Sequence, residues 1–581
     1  MRKMKNRFVV MMLAAVALVG CRGDYQRVET FEELPDPRAL TAEAEAAWES
    51  VGDGLLGGWI DCDMRYVRDE VPALVSASQS LTGWRGERVS AQIMLWTKQG
   101  AEGVECRVSD LKSAAGVLPA ENVQTRFVRY TIAEEQTYSY KKSGNTFSSA
   151  DMLDSLARFD MAERSTRPVW VTITIPQDTP AGIYRGKITV SHNGRGKLKL
   201  PIELEVVDRT LGAASGWDYH LDLWQHPSAV ARTHNVELWS DEHFEVMKPI
   251  MQLLANAGQK VITATLNKDP WNHQCYDAYE NMINWTLCKN GEWHYDYAVF
   301  DKWVSFMLDL GIGKMINCYS MVPWNNELEY FDEAKGETIT VKADPGTKIF
   351  KQMWTPFLKD FTRHLREKGW LSITNIAMDE RKPEAMDAAA ELLQECAPEL
   401  NFALADNHKS YKRYTMMRDV CVAIHHPADH SDIVMRREKG HNTTFYICCV
   451  PSYPNTFTCS EPFESELLGW YCVAADYDGM LRWAYNSWPE NPHLDSSFGN
   501  WMSGDTYFVY PYARSSIRFE KLIDGIEVAE KIRVLRREGV DTSALDAVLE
   551  RIRNTNSQDH TQPWHEIVIQ ARAALDEVSR K

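Results

Sequence analysis

Apolar and polar positions follow two different rhythms along this chain. In the first third they alternate. Val169, Val171, Ile173 and Ile175 share one face of 168–175 while Thr172 and Thr174 take the other, the period of a β-strand. Segments 187–190 and 197–207 flank Asn193-Gly194, a two-residue pair that favours a hairpin turn. The stretch 57–210 therefore reads as an antiparallel β-sandwich. From Trp217 onward, short apolar runs alternate with amphipathic segments. Eight of these runs read as strands: 218–225, 261–266, 314–321, 373–380, 401–406, 420–426, 443–450 and 479–487. Between them the spacing becomes helical, as in Phe300, Trp303, Val304, Met307 and Leu308. Eight alternating strand and helix units predict a (β/α)8 TIM barrel over 211–521. The remainder, 522–581, reads as C-terminal helices broken near 554–563 and packed on the barrel.

The N-terminus has a rhythm of its own. Arg2, Lys3, Lys5 and Arg7 precede an apolar run over 8–19, and no acidic residue appears before Asp24. That is the charge order of a secretory signal, and the run is too short to span a bilayer. It ends Leu18-Val19-Gly20-Cys21, which resembles a bacterial lipobox. The expectation is a signal peptide over 1–20, lipid attachment at Cys21 and a polar tether over 21–56. The protein would then sit in the bacterial cell envelope, periplasmic or on the outer-membrane surface, with lipid as its sole membrane attachment.

Composition narrows the partner. A net charge of -17 repels phosphate backbones, which argues against nucleic acid. Twenty Trp and 23 Tyr favour a partner with flat apolar faces and polar edges, and sugars fit that description. With Cys21 set aside, 11 scattered cysteines show no C-x-x-C pair and no metal-ligand spacing, although Cys275 and Cys288 could bridge a loop. Gly52-Asp-Gly-Leu-Leu-Gly57 matches a dinucleotide fingerprint by letter, but no strand precedes it and no βαβ unit surrounds it. No metal and no cofactor are expected.

Barrel chemistry sits at the C-terminal ends of the strands. Those ends carry Trp224 and Gln225, Asn267, Tyr319, Asp379 and Glu380, Asp406 with Asn407 and His408, His425 and His426, then Trp483, Tyr485, Asn486 and Trp488. Trp224, Trp483, Tyr485 and Trp488 are candidate walls against sugar C–H faces, with Trp483 and Tyr485 ranked first. Asn407 and Asn486 are candidate hydroxyl binders, and Arg482 should turn away into an ion pair. Asp379-Glu380 closes the fourth strand. Ordinary glycosidases place two carboxyls about 5 to 9.5 Å apart across the scissile bond, which two neighbours on one strand tip do not easily do. They do suit a reaction in which the 2-acetamido oxygen of the substrate is the nucleophile. Glu380 would then serve as acid and base, and an anionic Asp379 would hold the amide N–H.

The Asp379-Glu380 pair, the strand Gly479-Met-Leu-Arg-Trp-Ala-Tyr-Asn-Ser-Trp488, Gly504-Asp-Thr506, Tyr510-Pro511 and the segment 516–526 together resemble glycoside hydrolase family 123. The resemblance implies an exo-acting N-acetyl-β-galactosaminidase that uses substrate-assisted catalysis on glycans with terminal β-GalNAc. By resemblance, Asp379 is the stabiliser and Glu380 the acid/base. Two other readings remain: a glycosidase acting on β-N-acetylglucosamine or using a conventional nucleophile such as Asp406, and a non-catalytic glycan-binding lipoprotein.

Overall fold

The computed structural model describes residues 31–581 apart from 139–141, 407 and 555–558. The signal run 1–20, Cys21 and Asn407 therefore lie outside the described residues. The front of the chain is a sandwich of two sheets. One has the order Leu55–Ile60, Arg88–Thr97, Ser165–Thr174, Val123–Glu134, Thr146–Asp154, and the other runs through Gln79–Arg85, Arg195–Thr210, Gly182–His192, Ala101–Val108 and Phe159–Met161. Pairing is antiparallel except between Gln79–Arg85 and Arg195–Thr210. The expected hairpin is present, with Val190 opposite Leu198 and both Asn193 and Gly194 at positive φ.

Strand Ser165–Thr174 is buried on both faces, although its sequence alternates. Val169, Val171 and Ile173 fill the sandwich core with Ile188, Leu200 and Leu204. Trp170, on the other face, packs with Val128, Tyr130, Leu153 and Ile517 from a helix of the barrel. The stretch read as a tether is structured from Glu33 onward. Glu33 pairs with Arg129 and Arg167 at 2.6 and 2.8 Å. Helix Ala42–Glu49 is capped by Thr41 and pinned by Trp48, whose buried indole donates to the Asp69 carbonyl at 2.8 Å.

All eight barrel strands form: β1 His220–Leu223, β2 Val261–Thr265, β3 Met315–Tyr319, β4 Thr374–Asp379, β5 Asn401–Asp406, β6 Met417–Ala423, β7 Asn442–Tyr446 and β8 Gly479–Arg482. They run parallel in sequence order around the barrel. Between β1 and β2 the seam is narrowed by Lys260 N–H donating to Leu221 O at 3.0 Å and by the Gln259 side chain, which accepts from Leu223 N and donates to Val261 O. β1 and β8 approach so closely that a Cβ on Gly479 would lie 2.1 Å from the His220 carbonyl oxygen. β7 and β8 end four and five residues earlier than their apolar runs suggest. The segment after β8 is a long loop leading to helix Ile517–Arg537. This helix packs against Pro462–Ala474, and its Glu530 accepts the N–H groups of Asp218 and Tyr219 at the entry to β1. It is thus the eighth barrel helix, and a boundary at 521/522 cuts through it. Helices Ser543–Asn554 and Trp564–Ser579 complete the tail. Cys275 and Cys288 are both free.

Candidate active site

Asp379 is the last residue of β4 and Glu380 the first beyond it. Glu380 has φ +47°, a left-handed conformation that costs a non-glycine residue about 1–2 kcal/mol. Two contacts hold it there. Its N–H donates to the Ala405 carbonyl at 3.0 Å, and its carboxylate accepts from the Tyr446 hydroxyl at the end of β7. Asp379 is half-buried and accepts from the Trp271 indole N–H at 3.0 Å, while its carbonyl oxygen accepts from the Trp324 indole at 3.2 Å. Burial first, and the neighbouring Glu380 charge second, push the Asp379 carboxyl up to about 8. The Trp271 hydrogen bond and Arg381 pull the other way. The sequence reading made Asp379 the anion of the pair; in the unliganded site its burial works against that charge.

The inward positions of the strand ends explain the shape around the pair. Ala377 on β4, Ala403 and Ala405 on β5, and Cys421 and Ala423 on β6 are small and share one buried cluster. Bulk is concentrated where β1, β2 and β3 end. Trp224 after β1, Trp271 and Tyr319 form a mutual cluster with ring centroids 4.7 to 4.9 Å apart, and Tyr279 lies tilted beside Trp271 at 4.6 Å. Trp483 belongs to the same cluster and lies 5.4 Å from Trp501.

Several sequence candidates stand elsewhere. Tyr485 is fully buried, with its hydroxyl donating to Ile250 O at 2.8 Å on helix Asp241–Asn256. Asn486 exchanges hydrogen bonds with the His226 backbone at 2.9 and 3.0 Å, and the Trp488 indole donates to Val509 O at 2.6 Å. These three hold the post-β8 loop against the barrel wall, because β8 ends at Arg482 and the chain turns outward past Trp483. Arg482 does form its ion pair, with Asp505 at 2.6 Å. Asp406 is buried, and its carboxylate accepts from its own loop: His408 N at 2.9 Å, Ser410 N, and the Ser410 hydroxyl at 3.2 Å. Asn267 is likewise taken up, bonding both ways with the Glu329 backbone. His425 is half-buried and lies close enough to Glu380 to feel its charge, though burial first and His426 second lower its pKa. Among the described residues, the one His and carboxylate grouping compact enough for a metal is Asp61, Asp63 and His565, far along the chain from this site. Asp63 there is already paired with Arg572 and Lys521.

Trp271, Trp324 and Tyr446 were missed by the sequence reading. A signal for the first two exists. Pro270-Trp271-Asn272 follows β2 and Pro323-Trp324-Asn325 follows β3, the same tripeptide twice, and Trp324 N–H donates to Pro270 O at 2.9 Å. The loops that carry them also build a small sheet from Asn284–Leu287, Trp293–Asp296, Glu327–Asp332 and Glu337–Lys342.

Comparison with known proteins adds to this geometry. A family model described as glycoside hydrolase 123, catalytic domain, matches residues 224–535, and one described as glycoside hydrolase 123 N-terminal domain matches 59–192. A solved family 123 glycoside hydrolase from Clostridium perfringens, described for glycolipid glycan hydrolysis, superposes with a TM-score of 0.83 at 26% identity, covering 90% of this chain and 98% of that one. A family 5 xyloglucanase from Bacteroides ovatus and a maltogenic α-amylase from Thermotoga neapolitana overlap with TM-scores of only 0.29 and 0.30. Their identities are 11% and 9%, over 78% and 54% of this chain and 98% and 77% of theirs, and neither carries an argument. No curated protein matches.

Proposed function

Because the chain belongs to glycoside hydrolase family 123, and is therefore a glycosidase acting on glycans, we propose that it removes terminal β-linked N-acetylgalactosamine with the acetamido group of the substrate as nucleophile. One observation carries the reading. Asp379 and Glu380 stand side by side at one strand tip, each held by its own aromatic donor. Asp406, the alternative nucleophile, is committed to its own loop.

In this mechanism the Asp379 carboxyl receives the acetamido N–H and turns the carbonyl oxygen toward the anomeric carbon. That oxygen forms the new C–O bond as the glycosidic bond breaks, and Glu380 gives its proton to the departing oxygen. The resulting oxazolinium is positive, and this charge together with the N–H donor favours ionised Asp379 despite its raised pKa in the free site. Glu380 then takes a proton from water, which opens the ring with net retention.

Turnover of nitrophenyl β-glycosides of GalNAc, GlcNAc, galactose and glucose tests the proposal. Losing one hydrogen-bonded group costs about 1–3 kcal/mol, whereas losing an oriented intramolecular nucleophile costs up to about 7–11 kcal/mol. The galactoside should therefore be nearly inert, and cleavage within about tenfold of the GalNAc substrate would sink the mechanism. Equal or faster cleavage of the GlcNAc glycoside would reassign the sugar. We also propose acylation at Cys21 and an envelope location. Labelling with a fatty-acid analogue should disappear in Cys21→Ala, and persistent label would refute it.

A further inference from the structure

β7 ends at Tyr446, whose hydroxyl holds Glu380, and two residues later the chain carries adjacent thiols. The Sγ atoms of Cys448 and Cys449 lie 3.9 Å apart, and both residues are half-buried. Cys448 packs against the cluster that contains Tyr446 and Trp483, and its Sγ lies 3.6 Å from the Val450 carbonyl oxygen. The loop itself is tied down. Asn455 donates to Cys448 O at 2.8 Å and to Pro451 O at 2.7 Å, and it accepts from Arg482 at 3.1 Å.

We propose that Cys448 and Cys449 are a reversible redox modification site, closing to a vicinal disulfide in reaction with an organic disulfide and so altering the wall beside Tyr446. The Cys449 thiol is held below its ordinary pKa, first by its contact with Cys448 and also by Arg482, which makes it the better initial nucleophile. Its thiolate attacks one sulfur of the external disulfide, forming a mixed disulfide and releasing a thiolate. Cys448 then gives up its proton, attacks the Cys449 sulfur and expels the second thiolate. Two protein thiols are oxidised and one external disulfide is reduced. Adjacent Cα atoms are about 3.8 Å apart, less than the roughly 4.4–6.8 Å of ordinary disulfides, so the closed ring is strained and easily reopened. That makes the pair a switch. Closing from 3.9 Å to an S–S bond of about 2.0 Å also displaces Cys448 relative to the aromatic cluster.

The test treats the full chain with oxidised glutathione or with dithiothreitol, then alkylates, digests and maps the peptide containing both residues by mass. The expected peptide from the oxidised sample resists alkylation until it is reduced, then takes up two groups. Free alkylation of both sulfurs after oxidation, a persistent glutathione adduct, or a bridge from either sulfur to Cys459 would overturn the proposal. Turnover of the GalNAc substrate, an arm that rests on the proposed function, should fall several-fold on oxidation and return on reduction, with Cys449→Ser insensitive to oxidant. Unchanged turnover by protein that carries the bridge would overturn the link to the site. The mapping needs no substrate, so a protein inert toward every glycoside would count against the proposed function alone.

Discussion

The Trp271 indole has a single N–H and gives it to Asp379, which opposes the rise in pKa that burial and the Glu380 charge impose on that carboxyl. Trp271→Phe keeps most of the ring in the aromatic cluster and deletes the donor. The Asp379 anion then loses a hydrogen bond, so its proton is held more tightly and its pKa rises beyond about 8. Hydrogen bonds to charged groups are worth about 1.5–3 kcal/mol, or roughly one to two pH units at about 1.4 kcal/mol each. The limb of the kcat/KM profile that reports Asp379 in the free enzyme should move up by that amount. A limb that stays put while kcat falls would show Trp271 acting through packing alone. Glu380 carries the complementary expectation. Glu380→Gln should abolish cleavage of glycosides with poor leaving groups and spare activated aryl glycosides at the glycosylation step, because only the former need the proton. Equal loss on both, with the fold intact, would argue against the acid role.

The elements of the barrel were legible in the sequence because each strand is an apolar run bounded by polar punctuation, and all eight formed. Their C-terminal limits were less legible. In β8 the apolar run continues through Tyr485 and Trp488, but those side chains face helices and loop backbone instead of the barrel mouth, so a reading by strand ends ranked Tyr485 as a sugar wall. Trp271 and Trp324 were missed for the opposite reason: they sit in loops beyond the strand ends, where hydrophobic periodicity carries no information about direction. The reading of Asp379 and Glu380 depended on strand position and family resemblance, and the loops that hold them were not foreseen. Strand closure makes its own prediction at Gly479, where an added Cβ meets the His220 carbonyl oxygen, carbon and nitrogen at 2.1, 2.5 and 2.6 Å. Backbone cannot step aside as a flexible side chain does, so β1 and β8 must separate. Gly479→Ala should lower stability by about 1–3 kcal/mol or more, seen as a reduced urea midpoint with little change in slope. Gly212→Ala, where nothing lies within 4 Å, is the matched control and should be nearly neutral.

At the scale of the whole molecule, the sandwich is a scaffold for the loop that follows β8. Ile132 donates to Leu494 O and accepts from Ser496 N, both at 2.9 Å, and Leu153 donates to Ser515 O at 2.9 Å, so sandwich strands continue their hydrogen bonding into barrel loop backbone. The same loop supplies Trp501 to the aromatic cluster. Charge reinforces the junction. Asp151, on sandwich strand Thr146–Asp154, is wholly buried and accepts from Arg518 Nε at 3.0 and 3.1 Å, from the Tyr510 hydroxyl at 2.8 Å and from Arg65 at 3.2 Å. Arg518 in turn donates to the carbonyls of Gly504 and Tyr507 at 3.0 Å each, fixing the loop from beneath. Removing one partner of a buried pair costs about 3–5 kcal/mol, because the remaining charge is stranded away from water. Asp151→Ala should therefore destabilise both halves together. Tryptophan fluorescence and calorimetry should report one shared transition at a lower temperature, because the loop that loses Arg518 is common to the sandwich face and the barrel mouth. Two separated transitions, with the barrel melting at its original temperature, would show that the sandwich folds as an independent appendage and that the site does not depend on it.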